Sequence, residues 1–344
     1  MKNTKLTPWT RFVGSVTALV LIPFGTMPRV FAADQTWTGT TDQLWSTSTN
    51  WTTATPGSGD DVIFPLIIPS GGSTITLGAG SLANSLSFKN NYTLSGGDLA
   101  LTSGGVRVDL GYVATLSSQL TGSAALVKTG LGTLRLTNTA NDFSGPVTIN
   151  TGILSISNAA ALGAGTGAIV VNGSSTRGLG GGALLLEGGY GTGVSLGRAV
   201  ELQGLGPIAA NGVALISVGD NTITGKLSNG TGLVSTAVHS AGGRLTLGDV
   251  EINNGGTVTF GSGNTAGVSQ YAITGALTGS GTLSKNGAGT LLLTPSSATG
   301  YSGIVQVSAG SVRVTDTAAL GTSSATNAID LNGGIFELDR KSVV

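Results

Sequence analysis

The chain has 344 residues, of which only 9% are charged, with 58 glycines, no cysteine and a single histidine, His239. That composition excludes a disulfide framework, a thiolate metal site, a catalytic cysteine and a zinc site built from several imidazoles. Sixteen basic residues balance sixteen acidic ones, which excludes a strongly basic nucleic-acid binder. Hydrophobic residues make up 40% of the chain and fall in short alternating runs between glycine, serine and threonine. Such a pattern predicts an all-β protein of short strands and many turns.

In chain order, the first element is a targeting segment. Lys2, Lys5 and Arg11 precede an apolar run from Phe12 to Ile22, and Val30-Phe31-Ala32 follows. This layout predicts a secretory signal peptide over residues 1–32, cut after Ala32. The apolar run is too short for a membrane-spanning helix. The remainder carries 12 basic and 16 acidic residues, a net of −4, which predicts an exported, acidic protein of a Gram-negative cell. Residues 33–100 are expected to form an N-terminal cap and first coils. Trp37, Trp45 and Trp51 cluster there with Phe64. The rings are read either as a lid over the open end of an apolar core or as a platform on which glycan rings stack.

Next comes an internal repeat. Residues 120–163 and 277–321 agree at 20 of 44 positions once one residue is inserted before Tyr301. The shared positions include Lys128/Lys285, Gly132/Gly289, Leu134/Leu291, Leu136/Leu293, Gly145/Gly303, Val147/Val305, Gly152/Gly310 and Gly163/Gly321. Within a copy, apolar residues recur at period two, as Leu134 and Leu136, Val147 and Ile149, then Leu154 and Ile156. Each pair therefore points to one face of a strand. Three short strands and their turns in about 20 residues predict one coil of a parallel β-helix, in which apolar pairs stack inward from coil to coil. Residues 101–338 are expected to be this β-helix, with about 15 coils at most from Ala33 to Leu338 if each takes ~20 residues. The repeat glycines are expected at corners, Phe143 and Tyr301 packed beside them, and Lys128 and Lys285 in solvent.

Between the copies, candidate chemistry is sparse. Gly219 to Leu227 resembles a phosphate-binding loop but has five residues between its glycines and Leu227 where Ser or Thr is needed. A turn between strands is the expectation. His239 precedes an alternating strand with no partner motif and is expected in a loop. The acidic pairs are Asp60/Asp61 and Asp249/Glu251; the latter two can share a strand face about 7 Å apart. Two carboxyls at such spacing suit glycosidic cleavage, and equally a solvated face. No catalytic residue, cofactor or metal site is assigned.

The elements Gly-x-Gly-Thr-Leu-x-Leu-Thr, aromatic-Ser-Gly, an alternating Val/Ile strand and a final Ala-Leu-Gly occur in both copies, over 89 residues. They resemble the autotransporter-associated β-strand repeat, also called the passenger-associated transport repeat. Trp37-Thr38-Gly39, Asn50-Trp51 and the run from Pro56 to Phe64 add to the likeness. The resemblance implies a right-handed parallel β-helix (β-solenoid) passenger, structural or adhesive, displayed at the cell surface through a C-terminal outer-membrane barrel. Surface glycans or other cell surfaces are the implied partners, and nucleic acid is not. A polysaccharide-binding or polysaccharide-cleaving β-helix is the alternative. No barrel-like strand series occurs in this chain. The tail at 339–344, Asp-Arg-Lys-Ser-Val-Val, resembles translated sequencing adapter, and a truncated chain is the expectation.

Overall fold

A computed structural model describes residues 34–339, except 71, 177–179, 190, 232–233, 262–268, 296–299, 316 and 322–327. The expected signal peptide and the tail from residue 340 onward lie outside the described residues. The described chain is an all-β solenoid of about 11 turns. Its strands pair in parallel with the coils before and after, in sheets of 13, 12 and 7 strands. The first sheet starts at Asp34–Thr36 and runs to Gly300–Tyr301, the second runs from Thr74–Leu77 to Ile329–Leu331, and the third from Ser195–Leu196 to Ile335–Leu338. Among the described residues, helix is confined to short 3-10 turns, such as Ala159–Leu162 with its Asn158 cap.

The alternating pattern explains why the sheets stack. In Thr133–Leu136, Leu134 and Leu136 point inward and are fully buried. Leu134 sits between Ala114 of the preceding coil and Leu154 of the next, and Leu136 between Leu116 and Ile156. Val147 and Ile149 continue the neighbouring ladder, from Leu126 and Lys128 to Ile169 and Val171. Every coil thus adds a layer of inward Leu, Ile and Val to one continuous core. The outward positions include Thr133, Thr148 and Asn172 besides Arg135 and Glu201, so few charged residues are needed.

Coil length varies more than the period predicts. Ser85 pairs with Gly105, 20 residues on, whereas Ile169 pairs with Val200, 31 on. Longer coils put extra residues into corner loops without breaking the ladders. That is why the turns number about 11, below the ceiling set by 20-residue coils. The early coils also turn their corners within a strand. Asp98–Val108 pairs through Asp98–Ala100 with Gln119–Thr121 and through Gly105–Arg107 with Val127–Thr129.

Candidate functional site

The repeat contains the most unusual side chains in the core. Lys128 and Lys285 are both 0% exposed, which overturns the expectation that they lie in solvent. Their inward direction follows from strand alternation, since Lys128 is two residues from buried Leu126 and Lys285 two from buried Leu283. Each ammonium is held by main-chain oxygens. Lys128 Nζ donates to the carbonyls of Thr129 at 2.8 Å, Gly130 at 2.7 Å and Thr151 at 3.1 Å. Lys285 Nζ donates to the equivalent carbonyls of Asn286 at 3.0 Å, Gly287 at 2.6 Å and Ala309 at 3.4 Å. All three ammonium protons have an acceptor, which is how a buried cation is tolerated without a carboxylate. Burial, joined by the positive charge of Arg107, pulls the Lys128 pKa down to about 7. Burial pulls that of Lys285 down to about 8.

The glycines sit where coils touch. A Cβ on Gly145 would lie 2.1 Å from the Ala124 oxygen, and one on Gly303 only 1.8 Å from the equivalent Gly281 oxygen. Gly132, Gly163, Gly289 and Gly321 are similarly closed off, with a carbonyl oxygen 1.9–2.3 Å from the Cβ position. Gly152 and Gly310 have φ of +74° and +69°, a conformation L side chains rarely adopt, and face the lysine Nζ atoms at 2.7 and 2.8 Å from the Cβ position. Phe143 and Tyr301 are buried at equivalent places, and their carbonyls abut Gly163 and Gly321. Leu291, Leu293 and Val305 repeat the burial of Leu134, Leu136 and Val147.

The sequence candidates outside the repeat are dispersed. Trp37, Trp45 and Trp51 are 1%, 2% and 4% exposed. Trp51 meets both other indoles edge to face, at centroid distances of 5.0 and 4.8 Å, and its Nε1–H donates to the Trp45 carbonyl. Sugar stacking needs exposed, coplanar faces; these rings offer none, and Trp45 and Trp51 pack instead toward Phe64, which stacks on Phe88 at 4.5 Å. Asp249 accepts the Ala276 N–H, while Glu251 pairs with Lys226, so the two carboxyls do separate work. Asp60 accepts the Gly57 N–H, and Asp61 accepts from Asn84 and Ser85. His239 lies in the strand Ser235–Ala241, not in a loop, and burial lowers its pKa. The stretch from Gly219 to Leu227 contains the strand Asn221–Ile223 and forms no phosphate cradle. The described residues contain no cluster of three or more His, Asp or Glu able to hold a metal.

Comparison with known proteins places the repeat. The passenger-associated-transport-repeat family matches residues 126–156 and 283–314. Those two stretches hold both buried lysines and their carbonyl cages. A curated relative, the adhesin BmaC autotransporter of Brucella suis biovar 1 (strain 1330), is 34% identical over 218 residues, 57% of this chain. The match spans 6% of that much longer protein. No solved structure matches the chain.

Proposed function

We propose that the chain is an adhesive passenger segment of an autotransporter-like protein, exported to the cell surface, in which the repeats are scaffold. The observation that carries this reading is the repeat itself, matched twice by a family named for passenger transport. The likeness to an adhesin autotransporter adds to it. In both copies the polar groups that could have done chemistry are spent on the backbone of neighbouring turns. The role is non-enzymatic: the carboxylates are separately engaged, and the lysines have no route to a substrate. The tryptophan cluster closes the first end of the core, where an unpaired coil would otherwise expose apolar side chains. Residues 1–32 direct export, and an outer-membrane barrel belongs to the full-length protein.

The test is display. Fused ahead of an outer-membrane barrel in a Gram-negative host, the chain should become accessible to externally added protease and should raise binding of the host to target cells. Retention inside the cell, or surface display with no gain in binding, would overturn the reading.

A further inference from the structure

The third sheet carries a polar concavity that the repeats do not use. Its floor is an outward row of hydroxyls, Ser195, Thr222 and Thr246, aligned by strand register across three successive coils. Alternation forces them outward, because Val194, Leu196, Asn221, Ile223, Leu245 and Leu247 all point into the core. Their spacing is therefore the strand spacing, about 4.8 Å per step. None of the three hydroxyls makes a hydrogen bond among the described residues, whereas Thr290 and Ser311, further along the same sheet, bond to each other.

The walls are mostly backbone. At Gly193 a Cβ would fall 1.3 Å from the Asp220 oxygen, and at Gly243 2.2 Å from the Gly219 carbonyl carbon. These turns can only be glycine, since a side chain there would run into the adjacent coil, and they border a groove of about 660 Å³ open to solvent. Arg244, Gln270 and Asp220 line it. Asp220 is held in place by the Arg244 main-chain N–H at 2.9 Å. Among the described residues, the Arg244 guanidinium is held by Gln270 alone, at 3.3 Å. Elsewhere Arg107, Arg135 and Arg313 are each paired with a carboxylate, and Arg198 bonds main-chain carbonyls. Among the described arginines, Arg244 therefore stands out as bonded through its guanidinium to neither a carboxylate nor a main-chain carbonyl, at the rim of a hydroxyl-lined groove.

We propose that this groove binds an acidic saccharide, with Arg244 taking the sugar carboxylate in bidentate fashion. Ser195, Thr222, Thr246 and Gln270 exchange hydrogen bonds with ring hydroxyls, and Asp220 accepts from one. A planar fork suits a carboxylate better than a neutral sugar, and a row of uncommitted hydroxyls suits a ligand rich in both donors and acceptors. The proposal rests on the adhesive reading only for the circumstance in which such a ligand is met.

Calorimetric titration of the full chain with tri-galacturonate, and with maltotriose as the neutral probe, tests it. Tri-galacturonate should bind, and maltotriose at least tenfold more weakly. Arg244→Gln should weaken tri-galacturonate at least tenfold, and Thr222→Val, which keeps the strand shape and removes the hydroxyl, about threefold. Arg313→Gln should change nothing. Absence of binding at millimolar tri-galacturonate, equal binding of the two probes, or equal affinity in Arg244→Gln would overturn the proposal. Cell binding by the displayed chain is a separate readout. Adhesion with no trisaccharide binding sinks the groove and leaves the adhesive reading, while trisaccharide binding without adhesion does the reverse.

Discussion

The two repeat copies have the same local structure but occupy different faces of the solenoid. In the first copy, Leu126–Thr129 and Val147–Ile149 belong to the first sheet, and Thr133–Leu136 and Gly152–Ile156 to the second. In the second copy the equivalent strands Thr282–Lys285 and Ile304–Val307 belong to the second sheet, and Gly289–Leu293 and Ser311–Val314 to the third. The ladder that leaves Val147 ends at Gly300–Tyr301, one face short of Val305. The repeat has moved around the axis by one side, yet each lysine still meets the same three carbonyls. What the repeat encodes is a corner between two strands, locked to the next coil by a buried ammonium and by glycine contacts. A module that can be turned in this way fits the proposed scaffold role, because a binding surface would have to keep its face.

The largest effect that would break this equivalence is at the closest coil contact. Gly145→Val and Gly303→Val each force a side chain onto a carbonyl at about 2 Å. Each should cost about 3 kcal/mol, the upper end for overpacking. In a stacked array the loss is felt by adjoining coils. Hydrogen exchange should therefore accelerate around residues 124–147 in the first variant and around 281–305 in the second. Loss of protection across the whole stack in either variant would show that the copies are not local modules.

The lysines sharpen the comparison through pH. An ordinary lysine in the unfolded chain titrates at 10.5, whereas Lys128 titrates at about 7 and Lys285 at about 8 in the fold. Between each pair of values the unfolded state binds more protons, so stability rises with pH across that window. Lys128→Met should flatten the rise from about pH 7, and Lys285→Met from about pH 8. The net loss at pH 7 should be about 1–2 kcal/mol, since orphaned carbonyls cost stability while removal of a buried charge returns part of it. Denaturation of both variants at pH 7 and 9.5 measures this. A slope unchanged from wild type would mean that the three carbonyls offset the burial of each ammonium and leave its pKa close to that of an ordinary lysine.

The solenoid itself was legible in the sequence because alternation and glycine spacing are local signals. Leu134 and Leu154, 20 residues apart, are ladder neighbours. The burial of Lys128 was legible by the same rule, since period two from Leu126 points it inward. Charge argued the other way, and only the three carbonyls, one of them from Thr151 in the next coil, resolve the conflict. Which face each copy occupies was not legible. It depends on the summed lengths of the intervening coils, which vary from one to the next, and no residue within a repeat records it. The polar groove was hidden for a related reason. Ser195, Thr222 and Thr246 are unremarkable alone and acquire meaning only when register aligns them.

The smallest expected effect concerns the one aromatic difference between the copies. In the first, the Leu126 N–H donates directly to the Pro146 carbonyl at 2.8 Å, and Phe143 needs no polar partner. In the second, a hydroxyl is inserted into the same link. The Leu283 N–H donates to Tyr301 Oη at 3.0 Å, and Tyr301 passes its own proton bond to the Ile304 carbonyl at 2.7 Å or the Gly281 carbonyl at 2.8 Å. Burial pushes the phenol pKa up, so the group remains a donor at any ordinary pH. Tyr301→Phe leaves the Leu283 N–H without that acceptor, at a cost of about 1–3 kcal/mol if nothing moves. The first copy shows that the strands can close to a direct bond, which should bring the loss to about 1 kcal/mol or less. Phe143→Tyr should cost a similar amount, because its hydroxyl would have to part a bond already made. Exchange at the Leu283 amide should quicken in Tyr301→Phe while the Leu126 amide stays as it was. A loss as large as that of Gly303→Val would show that the hydroxyl holds the corner together and that the two copies differ in kind.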